Sequence, residues 1–234
     1  DYTPGFIDAT RKSGGDPVTE ADEKVDELLR ELLPESGDGW LSEETVDSPE
    51  RLSADRVWVV DPLDGTREFV EGIPEWCVSI GLVESGVAVA GGILNTVMAQ
   101  RVVGSLETGV TLNGEPAVVR SIERIEGAEV LASRSEVRRG EWDHFQDGPI
   151  VVRPMGSVAY KMSLVAAGLA DATWTLTPKN EWDVAAGAAL VTASGGIVLY
   201  PDGSTPTFNN PDPLIPGLVA VPPGIITAVK GLIS

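Results

Sequence analysis

Between Trp58 and Thr66 the chain reads WVVDPLDGT. Residues 56–60 have the β-branched and aromatic character of a strand buried on both faces. The run then meets two aspartates three positions apart, with Pro62 between them and Gly65 behind. In an α/β chain the carboxyl end of a strand is where chemistry is usually presented, because the strand fixes the side chains and the next loop opens to solvent. Asp61 and Asp64 cannot both stay ionised at close range without a cation between them. Pro62 and Gly65 predict a tight turn that aims both carboxylates and an intervening carbonyl at one point. Oxygen-only donors of this kind suit Mg²⁺ better than zinc or copper. The competing reading, an Asx-capped turn, fits any single Asp-Gly but accounts for less of the whole string.

The rest of the chain supports a substantial core. It has 234 residues, 42% of them hydrophobic and 23% charged, enough for one large domain or two joined ones. No apolar run approaches the ~18 residues that span a bilayer, and no charged-then-apolar leader opens the sequence. The single cysteine, Cys77, excludes an internal disulfide and fits a reducing compartment, so the expectation is a soluble, cytoplasmic protein. Thirty-six acids face 17 bases, a formal charge of −19. That surface repels nucleic acid and anionic membrane, so neither is expected as a partner. It fits either plain solubility or a halophilic source.

Positions 19–33 predict a helix, with Thr19 and Asp22 at capping-box spacing and an apolar stripe of Val25, Leu28, Leu29, Leu32 and Leu33 before Pro34. Residues 76–95 predict a hairpin around Glu84-Ser85-Gly86, continued as a meander through Asn113-Gly114. After about residue 125 short strand patterns (128–132, 150–153, 172–176, 196–200, 218–221) alternate with helical patterns at 157–169 and 183–194. This predicts an N-terminal α+β part over 1–125 and a C-terminal α/β part over 126–234.

Further acids accompany the first pair. Glu43-Glu44 sits in LSEET; alone it reads as a solvated pair or a helix start. Asp183 opens EWDVAAGAALVTASGG, where alone it is an N-cap. Asp22 closes DPVTEAD, alone a first-turn acid. Cys77 reads as a buried strand thiol and His144 as a surface residue, so no protein nucleophile stands out.

The order DPVTEAD, LSEET, WVVDPLDGTREF, GSVAYKMSLVAAG, EWDVAAGAALVTASGG resembles the inositol monophosphatase-like superfamily of Mg²⁺-dependent, lithium-sensitive phosphatases. The similarity runs through nearly the whole chain. It implies an α/β fold, a layered α/β/α/β/α sandwich, usually a homodimer, acting on a small phosphorylated substrate. It makes Glu43, Asp61 and the Leu63 carbonyl ligands of one ion, and Asp61, Asp64 and Asp183 ligands of a second. Glu43 reaches toward a third, so two or three Mg²⁺ are expected. Asp22 and Thr66 match the pair that orients and deprotonates the attacking water. Such ions, about 3.5–4 Å apart, clamp the attacking and leaving oxygens of an in-line displacement.

The expected substrate rests on finer likenesses. Inositol monophosphatases usually carry an acid seven positions before the WD aspartate; here that position is Leu176. LSEE, ASRSE and Lys161 look like the 3′(2′),5′-bisphosphate nucleotidase (CysQ-type) branch. The expectation is therefore hydrolysis of the 3′-phosphate of 3′-phosphoadenosine 5′-phosphate. Lys161, Lys179 and Arg134 would meet its second phosphate, with Ser133 or Ser157 donating hydrogen bonds and Gly65 and Thr66 at the reacting one. The bland alternatives are a lysine stem covering apolar surface, a surface ion pair and a solvated lysine. An inositol-1-phosphatase, a fructose-1,6-bisphosphatase-like enzyme and a non-catalytic metal- or phosphate-binding regulator remain as alternatives. Only DYTPGFIDATR precedes KSGGDPVTEAD, where the family places a long helix, and Lys12 stands where a loop lysine of the family approaches the site.

Overall fold

A computed structural model describes residues 2–7, 9–11 and 17–233; Lys12 and Asp16 lie outside them. Two short strands, β1 (Ala9–Arg11) and β2 (Pro17–Thr19), pair antiparallel and lead into helix α1 (Glu20–Leu32). Thr19 caps that helix. Its hydroxyl accepts from Ala21 N–H at 3.2 Å, and its own N–H donates to Asp22 Oδ2 at 2.8 Å.

The first sheet is a run of neighbours: β3 (Gly39–Ser42), β4 (Arg56–Asp64), β5 (Cys77–Glu84), β6 (Val87–Asn95), β7 (Gln100–Ser105), β8 (Gly109–Leu112) and β9 (Glu115–Ala117). β3 lies parallel to β4; the rest form an antiparallel meander. Its two tightest turns, Ser85-Gly86 and Asn113-Gly114, place both residues at positive φ, as two-residue hairpin loops require.

The second sheet is built from β10 (Glu129–Ser133), β11 (Val151–Met155), β12 (Ala172–Thr175), β14 (Ile197–Leu199) and β16 (Leu218–Val221), in the order β11-β10-β12-β16-β14. The small strands β13 (Lys179–Asn180) and β15 (Leu214–Ile215) pair with each other. Between the sheets lie α4 (Val158–Ala166) and α5 (Glu181–Ala193), which contact strands of both. Strand alternation sorts the second sheet's side chains. Leu218 and Ala220 join the core shared with the first sheet, while Val219 and Val221 join a second core with Trp142, Phe145 and Val229 of α6 (Ile226–Ile233). Helix, sheet, helices, sheet and helix make the expected layered sandwich. Neither large sheet mixes strands from the two sides of residue 125, although the central apolar core does.

α5 sits close because the strands beneath it lack side chains at two points. A Cβ at Gly81 would lie 2.9 Å from Ala186 N, and one at Gly91 would lie 2.4 Å from Ala186 O.

Two expectations need correction. The 56–60 strand does not end at Asp61: β4 runs on to Asp64 through an irregularity. Asp61 pairs with Ser79 and Asp64 with Cys77, so three steps on one strand oppose two on the other. The extra residue is a bulge, which Pro62 tolerates because it lacks the N–H that a regular ladder would use. The apolar stripe of α1 is only partly its docking face. Val25, Leu29 and Leu33 are half-buried, but Leu28 and Leu32 are 52% and 68% exposed, and Ala21, Asp22 and Asp26 are the buried residues. The acids turn inward because hydroxyls wait for them there.

Candidate metal centre

Strand parity explains how the bulge makes a site. Val57 and Val59 belong to the central core, and Asp61 continues their face. In a regular strand Asp64 would point the other way; the inserted residue returns it to the same side. Opposite, β5 presents the buried Ser79 and Cys77.

Glu43 arrives from the loop after β3, where its N–H donates to Val60 O at 3.3 Å. Asp183 comes from the first turn of α5, its Oδ2 accepting from Asn180 N–H at 2.9 Å. Glu43, Asp61 and Asp183 each offer a carboxylate oxygen, and these oxygens all lie within 4.8 Å of one another. Asp64 stands beside them. Its Oδ2 accepts from Ser157 Oγ at 2.7 Å and Ala159 N–H at 2.6 Å, at the N-terminus of α4. Thr66, the first residue of α2 (Thr66–Glu71), lies 3.1 Å from Asp22 Oδ1 and 3.0 Å from Leu63 O through its hydroxyl. Asp22 Oδ2 is taken by Thr19, whose hydroxyl donates to it at 2.6 Å.

The protein's own groups oppose ionisation here. Burial pushes the Asp61 carboxyl well up, helped by Glu43, Asp64 and Asp183. Burial, then Asp64 and Glu43, raise Asp183 to about 8. Asp64 is raised by burial and partly relieved by Ser157, Ala159, Lys161 and Lys179. A cluster of oxygen-only donors, held together yet resisting their own charge, is the donor set of a hard divalent cation.

A cavity of about 220 Å³ opens over these acids. Among the residues singled out from the sequence, Glu43, Asp61, Leu63, Asp64, Gly65, Thr66, Ser133, Arg134, Ser157, Lys161, Lys179 and Asp183 line it; Asp22 reaches it through Thr66. Four helices begin at its wall: α2, α3 (Arg134–Arg138), α4 and α5. Their N-terminal amides favour an anion beside the acids.

The cations of the far wall are already partnered. Arg134 Nη2 contacts Glu75 Oε2, which also accepts from Gly156 N–H at 2.8 Å. Lys179 Nζ pairs with buried Glu136 at 3.2 Å. Lys161, 2% exposed, donates to Ser157 O at 3.0 Å, and burial lowers its amine to about 8. Leu176 is 44% exposed and does not line the cavity. Cys77 is fully buried, with its thiol pushed well up by burial; His144 is exposed.

Sequence reasoning missed Arg67, Glu68, Ser135 and Gly156, which also line the cavity. Glu68 follows Thr66 in the same helical turn, and burial raises its carboxyl. The charged pair in DGTREF was the only signal. Gly156 carried none: a Cβ there would sit 2.4 Å from the Glu68 carboxyl carbon.

Residues 4–233 match the profile of the inositol monophosphatase family. The chain belongs to the inositol monophosphatase family. Similar proteins include an inositol-1-monophosphatase of Mesorhizobium japonicum, 30% identical over 97% of this chain and 88% of that protein. Another, from Mycobacterium bovis, is 35% identical over 92% and 77%. A Pseudomonas aeruginosa relative named Nus factor SuhB is 34% identical over 62% of this chain and 56% of its own length. Among solved structures, a Thermotoga maritima IMPase superposes with a TM-score of 0.84 at 25% identity, covering 98% of this chain and 89% of that one. Family membership accounts for a divalent-metal site built from this acidic cluster.

Proposed function

We propose that the chain is a divalent-metal-dependent phosphomonoesterase acting on a small phosphorylated substrate, with Mg²⁺ as the ion and inositol monophosphate as the substrate. The observation that carries the reading is the meeting of Glu43, Asp61 and Asp183 oxygens within 4.8 Å, beside Asp64 and the Asp22–Thr66 pair. Bound divalent ions supply Lewis acidity to phosphoryl oxygens and make water a stronger acid.

The chain's residues do the rest. Thr66 Oγ1, held near Asp22 Oδ1, orients a water toward phosphorus, and Asp22 takes the proton relayed through that hydroxyl. The amides at the start of α2 would face the phosphoryl group, whereas in α4 Ala159 N–H is already given to Asp64 and Tyr160 N–H to Ser157. Asp64, with Oδ2 held at the start of α4, would have its other oxygen left to offer a bound ion.

The nucleotidase expectation lacks support. The Mesorhizobium japonicum and Mycobacterium bovis relatives are named inositol-1-monophosphatases, and Arg134, Lys161 and Lys179 already have partners, so a second phosphate would have to displace them. Lithium sensitivity and a homodimer belong to the same reading. Inhibition by LiCl against matched NaCl tests the first, and the molar mass in solution tests the second.

The deciding experiment is phosphate release with Mg²⁺ from myo-inositol 1-phosphate, 3′-phosphoadenosine 5′-phosphate and fructose 1,6-bisphosphate. The expected order puts the inositol ester first. Preference for the nucleotide would restore the nucleotidase reading. No release from any of them, by protein that still binds Mg²⁺, would make the chain a non-catalytic binding protein.

A further inference from the structure

The buried carboxylate of Asp26 has no part in the site described so far. It lies one helical turn after Asp22 on α1 and is 6% exposed. Both of its oxygens are taken by hydroxyls at the two ends of one short arc: Ser42 Oγ, on the last residue of β3, donates to Oδ1, and Thr45 Oγ1, in the loop that follows, donates to Oδ2 at 2.5 Å. Those two residues bracket Glu43 and Glu44. On its other side the same loop is held to β4 by the Glu43 N–H bond to Val60 O.

Burying a carboxylate is costly unless hydrogen bonds satisfy it, and helix docking does not need one. Leu28 and Leu32 of α1 stand exposed while Asp26 is buried. The acid serves the loop it grips. We infer that Asp26 is a positioning residue: by clamping Ser42 and Thr45 it fixes the arc that aims the Glu43 carboxylate at Asp61 and Asp183. α1 thus reaches the site twice, through Asp22 to Thr66 and, one turn on, through Asp26 to the Glu43 loop. The inference rests on the metal-site reading above. Partners that orient ligands from behind usually change metal affinity by about 10–100-fold.

The test is Mn²⁺ binding by calorimetry on the full chain, alongside the melting temperature in EDTA. The variants are Asp26→Asn, Thr45→Val, their double, and Glu27→Gln as an exposed control on the same helix. Asp26→Asn is expected to weaken Mn²⁺ binding about tenfold or more, with the EDTA melting temperature within a few degrees of wild type. Thr45→Val weakens it less. The double matches Asp26→Asn, because both changes break one clamp, and the control binds normally. In turnover the half-saturating Mg²⁺ concentration rises while kcat at saturating Mg²⁺ recovers, a split that general loosening of the fold would not give. Wild-type Mn²⁺ affinity in Asp26→Asn overturns the inference. If that variant does not fold, unchanged affinity in Thr45→Val overturns it. A wild-type protein that binds no Mn²⁺ defeats the underlying metal-site reading instead.

Discussion

The backbone N–H of Ala159 donates to Asp64 Oδ2 at 2.6 Å, joining the bulged end of β4 to the first turn of α4 across 95 positions of sequence. With Ser157 Oγ on the same atom, this leaves one carboxylate oxygen of Asp64 for the cluster. Asp64→Asn replaces one oxygen by an NH₂ group, which can neither accept from Ala159 nor bind a cation. Turnover is expected to fall by at least about 100-fold, since loss of an outer partner alone costs about 10–100-fold. Circular dichroism should stay native. Near-normal kcat in this variant would defeat the assignment.

Thr66→Val removes the hydroxyl that stands between Asp22 and the cavity. General-base assistance contributes about 10²–10⁴-fold, so kcat should drop by at least about 100-fold. Mn²⁺ binding should stay near normal. Adding Asp22→Asn should cost little more, because the two groups act as one unit. Steady-state kinetics on the two single variants and the double check this.

The metal-free fold should lose stability as pH rises. A carboxyl whose folded pKa is raised favours the folded state fully below its unfolded value, near 4. That contribution fades as pH climbs toward the folded value, about 8 for Asp183. Asp61 and Asp64 shift the same way. Lys161, lowered to about 8, acts in the opposite sense, but only above that pH. EDTA-treated protein should therefore melt lower at pH 8 than at pH 5.5, and saturating Mg²⁺ should narrow the gap. Equal melting temperatures without metal would contradict the electrostatic account of the cluster.

Gly91→Ala tests the packing that brings Asp183 into place. The added methyl would meet the backbone Ala186 O at 2.4 Å, an atom that no rotamer change can move aside, so α5 must move. Overpacking of this kind costs about 1–3 kcal/mol. Urea unfolding should show that loss, and Mn²⁺ affinity should fall with it, because the displaced helix carries Asp183. A variant as stable as wild type would show that α5 has slack.

Periodicity revealed most of the architecture. The hairpin turns at Ser85-Gly86 and Asn113-Gly114, the cap at Thr19 and the alternation after residue 125 all follow from local rules, and the structure has them. The acids that converge were legible because two carboxylates brought together by Pro and Gly at a strand end repel each other unless a cation joins them. What stayed hidden depends on partners distant in sequence. The bulge looked like a turn because Pro62 and two charges end most strands; only pairing with Ser79 and Cys77 shows that the ladder continues. Leu28 and Leu32 looked like part of a docking face because no local rule reveals that Ser42 and Thr45 wait for Asp26. Arg134 and Lys179 looked available to substrate because Glu75 and Glu136 lie far from them in sequence.

The bulge between Asp61 and Asp64 also makes the chemistry depend on a count of residues. Deleting Pro62 would let β4 and β5 pair in regular register with the two aspartates two positions apart, still opposite Ser79 and Cys77 but without the arc whose Leu63 carbonyl meets the Thr66 hydroxyl. The surplus residue thus sets how the intervening backbone bends between the acids, not which side of the sheet they occupy.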